Sequence, residues 1–449
     1  MISKCKELGI RNYSSKNKSE LSEMIRNHTA NHCSLEMGAT PPLNLPTSLP
    51  AVVSSTSTTL RFVDLFCGIG GFHQALNRLG GTCVFACDID EKCRQTYERN
   101  YGLKPAGDIS AIDLNTVPEF DILCGGFPCQ SFSNSGNKKG LDDKRGKLFE
   151  YILQLATLRK PSFLFLENVK HIMKIDDGKV FSHILSRIRE TGYMVETMEL
   201  SPHQLGVPQQ RERVVFMCVR SDLYRLDISL KFDIPDVPIN VDAVFETDTA
   251  ITGKYRISKE DEAILTAWDE MVQVFQTGEN MSPTILCNEF QRTYLPDEFA
   301  KLPAWKQDYI VKNRPIYERY KPTWDGWLAK HRELLTRKEI YGKLEWQVGK
   351  KVENDSIFHH FIQLRQSGIR VKKNKYFPTL VAIVQTPIYA KERRYITPRE
   401  CARLQSFPDT FILNENDHTA YKQFGNAVNV DVIHFVVSNT LKAYNVSSV

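Results

Sequence analysis

Between Arg61 and about Arg220, short apolar runs alternate with stretches whose apolar residues recur at helical spacing. The runs are RFVDLF, CVFACD, FDILCGG, FLFLENV, MVETMEL and RVVFMCVR, each with turn or polar residues at or near its end. Strand-like runs alternating with helical patterns predict an α/β domain with a largely parallel sheet. Upstream, residues 1–35 are polar and basic, with Leu21, Met24 and Ile25 at helical spacing. Residues 36–60 are rich in Pro, Ser and Thr, which predicts a flexible linker. Residues 221–390 lose the strand–helix rhythm and mix aromatic with charged positions before a basic stretch, GIRVKKNKYFP. From 391 to 449 the pattern is helical again, and no internal repeat is visible.

Composition narrows the class more than the chemistry. A chain of 449 residues, 42% hydrophobic and 25% charged, has the make-up of a globular protein of two domains and a small appendage. No apolar run approaches the roughly 20 residues of a membrane span. The first residues lack the apolar core of a secretory signal. An intracellular setting is expected: bacterial cytoplasm, or host cytoplasm or nucleus for a viral or eukaryotic source. The 11 cysteines are scattered, odd in number, and show neither C-x-x-C pairs nor histidines at zinc spacing. That argues for reduced thiols, against a disulfide framework and against a structural metal. A net charge of +5 permits nucleic-acid binding through local patches without requiring it.

Three segments concentrate candidate chemistry. The first strand runs into Gly68, Gly70 and Gly71, where glycines allow a sharp turn and close ligand approach; the alternative is a tight turn with no ligand. Asp88 ends the second run, where an acid accepts hydrogen bonds from ribose hydroxyls, and Asp108 offers a partner to an adenine amino group. The spacing departs from G-x-G-x-x-G, which weakens a nicotinamide cofactor. Cys129 follows the third run behind Pro128, at the edge where open α/β sheets bind ligands. A free cysteine is most often a buried apolar residue, but here Gln130, Ser131, Ser133, Asn134 and Ser135 follow it. One strand later Glu167 places a carboxylate at the same edge. Arg211 and Arg213 then bring two cations that suit a polar substrate edge or a phosphate.

Taken in order, DLFCGIGGF, GFPCQSFS with GLDDKRGKLF, ENV, QQRER, ITPRECARLQSFPD and QFGNAV resemble the cytosine-C5 DNA methyltransferase family. The resemblance spans roughly residues 61–220 and 376–445. It implies a Rossmann-like, S-adenosylmethionine-dependent methyltransferase sheet over 61–220 and a smaller, mixed target-recognition domain over 221–390. The C-terminal segment 391–449 would return to the catalytic domain. It further implies that Cys129 adds to carbon 6 of cytosine and that Glu167 protonates or hydrogen-bonds ring nitrogen 3. Arg213 would hold the exocyclic oxygen, and Arg211 would help shape the pocket. S-adenosylmethionine would lie against Phe66, Gly68, Gly70 and Pro128, with Asp88 on its ribose. Ile89, Asp108 and Ile109 would meet its adenine, and Asn426 and Val428 its methionine end. A Glu and an aromatic often stand where this chain has Asp88 and Ile89.

The target base must leave the duplex to be reached. The loop from Gln130 to Gly146 would close over it, with Gln130, Ser133, Ser135 and Arg145 toward the DNA. Arg370, Lys372, Lys373 and Thr379 lie in a basic, aromatic stretch suited to phosphate contact and groove readout. The expected partner is double-stranded DNA, with no metal and no membrane, and a monomer is expected. Residues 1–35 also resemble a SAP-like helix–extension–helix module. A transfer-RNA-methylating subfamily shares these motifs, but the Cys-Phe-Thr signature associated with it is lacking. A regulatory member would be expected to lose Cys129 or Glu167. Nothing in the sequence identifies the base that removes the carbon-5 proton.

Overall fold

The computed structural model describes residues 59–128, 146–281, 284–383 and 385–446. Residues 1–58 lie outside that set, so the SAP-like segment and most of the linker reading have no structural counterpart. The six apolar runs form the strands of one sheet: β1 (Arg61–Leu65), β2 (Thr82–Cys87), β3 (Ile122–Gly126), β4 (Phe163–Val169), β5 (Tyr193–Leu200) and β6 (Arg213–Arg220). Their spatial order is β2-β1-β3-β4-β6-β5. β1 to β4 pair in parallel, while β6 runs antiparallel to both β4 and β5.

Side chains alternate across a strand, so an apolar run of this kind needs cover on both faces. On one face Phe62, Ile122, Phe163 and Met217 pack with Phe72 and Leu76 of α1 (Gly71–Asn77). On the other, Val63, Leu123, Leu164 and Phe216 pack with Ile152 and Ile184, from the helices that follow β3 and β4. Those helices are α3 (Gly146–Arg159) and α4 (Lys179–Glu190), and α2 (Glu91–Tyr101) follows β2.

A second sheet has the order β12-β11-β9-β10-β8-β7. Its strands are β7 (Ile285–Leu286), β8 (Lys343–Gln347), β9 (Phe361–Arg365), β10 (Gly368–Lys372), β11 (Ile388–Tyr389) and β12 (Arg394–Tyr395). β8 and β10 are parallel and the other pairings antiparallel, so the sheet is mixed, as expected for this region. Its core gathers Trp268 of α5 (Lys259–Val274), Trp324 of α7 (Lys321–Lys330) and Trp346 of β8. Between those helices lies α6 (Ala304–Arg319). Among the described residues, three more follow β12: α8 (Pro398–Leu404), α9 (Asp417–Asn426) and α10 (Val430–Ala443). α10 lays Val430, Ile433, Val436 and Val437 onto the first core beside α1.

Three expected boundaries shift. Leu60, placed in the linker, is a core residue whose carbonyl accepts from the Thr82 amide at 2.7 Å. Leu223, Leu230 and Val244, placed in the recognition domain, pack into the first core. β12, placed in the C-terminal helical segment, is an edge of the second sheet, because Arg394 and Tyr395 pair with β11. A buried bidentate pair then joins β12 to α8, with Arg394 at 2.8 and 2.9 Å from the two carboxylate oxygens of Glu400.

Candidate active site at the sheet edge

The turn after β1 is set by three left-handed residues: Phe66 (φ 55), Gly68 (φ 53) and Gly70 (φ 86). A phenylalanine in that region is strained, and such outliers collect where a ligand must be met. Gly70 has a second constraint, since a Cβ there would lie 2.3 Å from the ring of Tyr101, whose hydroxyl donates to the carbonyls of Ile69 and Gly70. Asp88 closes the turn, its two carboxylate oxygens accepting from the Gly68 and Asp90 amides at 2.8 Å each. Burial pushes its carboxyl up, and those two amides pull it back. Ile89 beside it is an apolar side chain left 75% exposed. Asp108 is exposed and caps a short turn through Ser110. Ile109, expected against an adenine, has a side chain only 3% exposed within the second-face core, so what it offers a ligand is main chain.

The C-terminal segment completes this turn. The Val428 carbonyl lies 2.4 Å from where a Cβ on Gly71 would stand, and Val428 Cγ2 lies 3.3 Å from the same point on Gly126. Gln423 fastens α9 to α2, donating to the Lys92 carbonyl and the Thr96 hydroxyl at 3.0 Å each. Asn426 is exposed at the end of α9. The glycines of the first motif therefore serve two partners, a tight turn and a strap arriving from the far end of the chain.

At the neighbouring strand ends, Gly126 and Glu167 are direct register partners. The antiparallel course of β6 brings its first residue, Arg213, to the edge where β3 and β4 end. Arg213 Nε is 2.8 Å from Glu167 Oε1, and both side chains are nearly buried. One Nη of Arg213 donates to the Glu212 carbonyl at 2.9 Å. Asn168, unremarked in the sequence, is buried and donates to the Phe127 carbonyl at 2.9 Å. It thereby fastens the chain two residues ahead of Cys129. Cys129, Gln130, Ser133, Ser135 and Arg145 lie outside the described residues, and Pro128 is the last described position before them.

Arg211 has a different environment from Arg213. It is 3% exposed and forks onto three carbonyls: Leu380 at 2.7 Å, Gly425 at 3.0 Å and Ala427 at 2.9 Å. One guanidinium thus ties the recognition region to the strap. Phe377 adds to this seam by exchanging main-chain bonds with Pro208 and Gln210. Arg370, Lys372 and Thr379 line a cleft of about 200 Å³ with Gln210 and Glu212. Lys373 is exposed one residue past β10. Among the described residues, no group of three or more side chains is arranged to hold a metal ion, and no helix is long and apolar enough to cross a membrane.

The sheet with one reversed strand, a strapped glycine turn and a Glu–Arg pair can be set beside known proteins. The profile of the C-5 cytosine-specific DNA methylases matches residues 60–442. The chain is 30% identical to the type II methyltransferase M.HhaI of Haemophilus parahaemolyticus over 87% of its own length and 95% of that protein. It is 36% identical to M.MspI of Moraxella sp, over 87% of this chain and 73% of the other. Among solved structures, the Entamoeba histolytica methyltransferase EhMeth superposes with a TM-score of 0.51 at 18% identity, covering 86% of this chain and 99% of EhMeth. That last likeness is one of fold.

Proposed function

Because this chain belongs to the C-5 cytosine-specific DNA methylase family, and so is a DNA (cytosine-5-)-methyltransferase, we propose that it uses S-adenosylmethionine and a covalent bond from Cys129 to carbon 6 of a flipped cytosine. The observation that carries this reading is the Glu167–Arg213 pair at 2.8 Å, held beside Gly126 at the strand end that leads into Cys129.

Carbon 5 of cytosine is too weak a nucleophile to take a methyl group unaided, so the ring must be activated covalently. The Cys129 thiolate gives its electron pair to a new bond at carbon 6, which makes carbon 5 enamine-like. Glu167 supplies or shares a proton at ring nitrogen 3 as that bond forms, so that charge does not build on the ring. Arg213, oriented by Glu167 through Nε, meets the exocyclic oxygen with its terminal nitrogens. S-adenosylmethionine supplies the methyl group as a sulfonium. A base then takes the carbon-5 proton, the electrons of that bond restore the ring double bond as Cys129 leaves as thiolate, and the nitrogen-3 proton returns to Glu167. The described cysteines support the choice of nucleophile: burial pushes the thiols of Cys83 and Cys87 up to about 12 and that of Cys124 well up. Such thiols are poor nucleophiles at neutral pH.

The residues around the glycine turn suit the donor. Asp88 offers carboxylate oxygens for two hydroxyls, Ile89 an open apolar face for a purine, and Asp108 an exposed acceptor for its amino group. Phe66, Gly68, Gly70 and Pro128 line the approach, and Asn426 and Val428 lie toward the methionine end. Gln130, Ser133, Ser135 and Arg145 would meet the DNA around the flipped nucleotide. Incubation with tritiated methyl donor and either duplex DNA or transfer RNA tests the reading. Label is expected in DNA, and a 5-fluorocytosine duplex should trap an adduct that Cys129→Ser does not form. Label in transfer RNA alone, or no adduct with the intact enzyme, overturns it.

A further inference from the structure

The cleft beside the Glu–Arg pair is built from side chains that hold one another. Glu345, on β8, is 7% exposed. Its Oε2 accepts from Arg370 Nε at 2.9 Å and from Arg365 Nη1 at 3.4 Å. Arg365 Nε in turn donates to Gln385 Oε1 at 3.2 Å. Two planar guanidinium forks from adjacent antiparallel strands, β9 and β10, are thus braced by one near-buried carboxylate. The Gln210 and Gln385 side-chain acceptors beside them are engaged internally, while Glu212 on the lining gives one carboxylate oxygen to Lys170 at 3.2 Å. Gln210 Oε1 takes the Lys372 ammonium at 2.6 Å, and the Thr379 hydroxyl donates to the Gln210 carbonyl at 2.6 Å. Gln385 Oε1 is occupied by Arg365, and the buried Gln363 donates to the Gln385 carbonyl at 2.9 Å. Arg365 and Arg370 therefore line this cleft as donors held on rigid supports.

We infer that this cleft reads a guanine in the DNA target, with Arg370 and Arg365 as the reading side chains and Glu345 as the residue that positions them. The inference rests on the DNA-methylating reading above. Of the four bases, guanine alone shows two adjacent acceptors in the major groove, N7 and O6; adenine and thymine show one each, and cytosine shows a donor. A fork whose Nε is already committed to Glu345 has its terminal nitrogens for those two acceptors. Glu345 also removes the rotamer freedom that binding would otherwise have to freeze. The place of the guanine follows from the chain. Gln210 lines the cleft and Arg213 lies at the catalytic edge, three residues on. Three residues span at most about 10 Å, and duplex DNA rises about 3.4 Å per pair. The guanine lies within about three base pairs of the methylated cytosine.

The test uses the full-length enzyme and a pool of duplexes randomised on both sides of a cytosine, read by bisulfite sequencing. Methylated products should be enriched for guanine at a fixed position in that window. Replacing that guanine by 7-deazaguanine, which lacks the N7 acceptor, should slow methylation about ten- to a hundredfold. Arg370→Gln and Glu345→Gln should flatten the preference at that position while methyl-donor affinity stays native, which separates lost readout from misfolding. Methylation of DNA without a guanine preference in the window overturns the inference alone, as does indifference to 7-deazaguanine. Failure to methylate any DNA overturns the underlying reading and this inference with it.

Discussion

Asn168 makes two hydrogen bonds in opposite senses: its amide nitrogen donates to the Phe127 carbonyl at 2.9 Å, and its oxygen accepts from the Val169 amide at 2.9 Å. The first bond sets where the chain leaves β3 toward Cys129. Asn168→Ala and Asn168→Asp should therefore lower kcat on the order of a hundredfold, the scale of a misplaced reacting group. Asp keeps the acceptor and loses the donor, so equal defects in both variants would locate the effect at Phe127. A kcat unchanged in Asn168→Asp would remove Asn168 from the positioning of the nucleophile. Side chains of this kind are hard to read from sequence. Glu167 and Arg213 stand out because carboxylate and guanidinium at strand ends have recognised uses. Asn168 and Glu345 are ordinary polar letters whose importance comes from being buried beside one particular carbonyl or arginine. Arg211 and Arg213 look alike in QQRER, yet one forks onto three carbonyls and the other faces Glu167.

At the scale of elements, α1 meets the residues leading into α10 with no room to spare at Gly71. Gly71→Ala would bring a methyl against the Val428 carbonyl at 2.4 Å, where backbone, not a flexible side chain, would have to yield. Overpacking of this kind costs about 1–3 kcal/mol, and at about 2.1 cal/mol/K per residue each kcal/mol lowers Tm by roughly 1 °C in a chain of 449 residues. Calorimetry and equilibrium binding of the methyl donor should show both a lower Tm and a weaker Kd. An alanine variant with native values in both would show that the two segments are not packed this closely. Legibility at this scale followed element length. The six strands of the first sheet were readable because each is a largely apolar run of five to eight residues, and β1, β3, β4 and β6 are buried on both faces. In the second sheet β7, β11 and β12 have two residues each, too few to show any period. The same brevity moved the edge of that sheet past residue 390, because Arg394 and Tyr395 announce themselves only by pairing.

Over the whole molecule, the first core draws on residues from Leu60 to Val446, and α10 supplies much of one face. Removing residues 420–449 should abolish both methyl-donor binding and the cooperative melting transition. Retention of either would show that the strap is an accessory and not part of the fold. Arg211 spreads this dependence further, because the recognition segment at Leu380 and the strap at Gly425 and Ala427 share its guanidinium.

The strap also has a consequence in time. The Arg78 side chain on the α1 side meets Asp431 of α10 across 353 positions of sequence. At synthesis rates of about 5–20 residues per second, β1 and α1 wait tens of seconds for the segment that covers them. A sheet whose first strand is finished by its last helix cannot close progressively on the ribosome. For that interval the glycine turn is uncovered, and the newly made α/β half is an incomplete protein that needs protection from its neighbours before it is an enzyme.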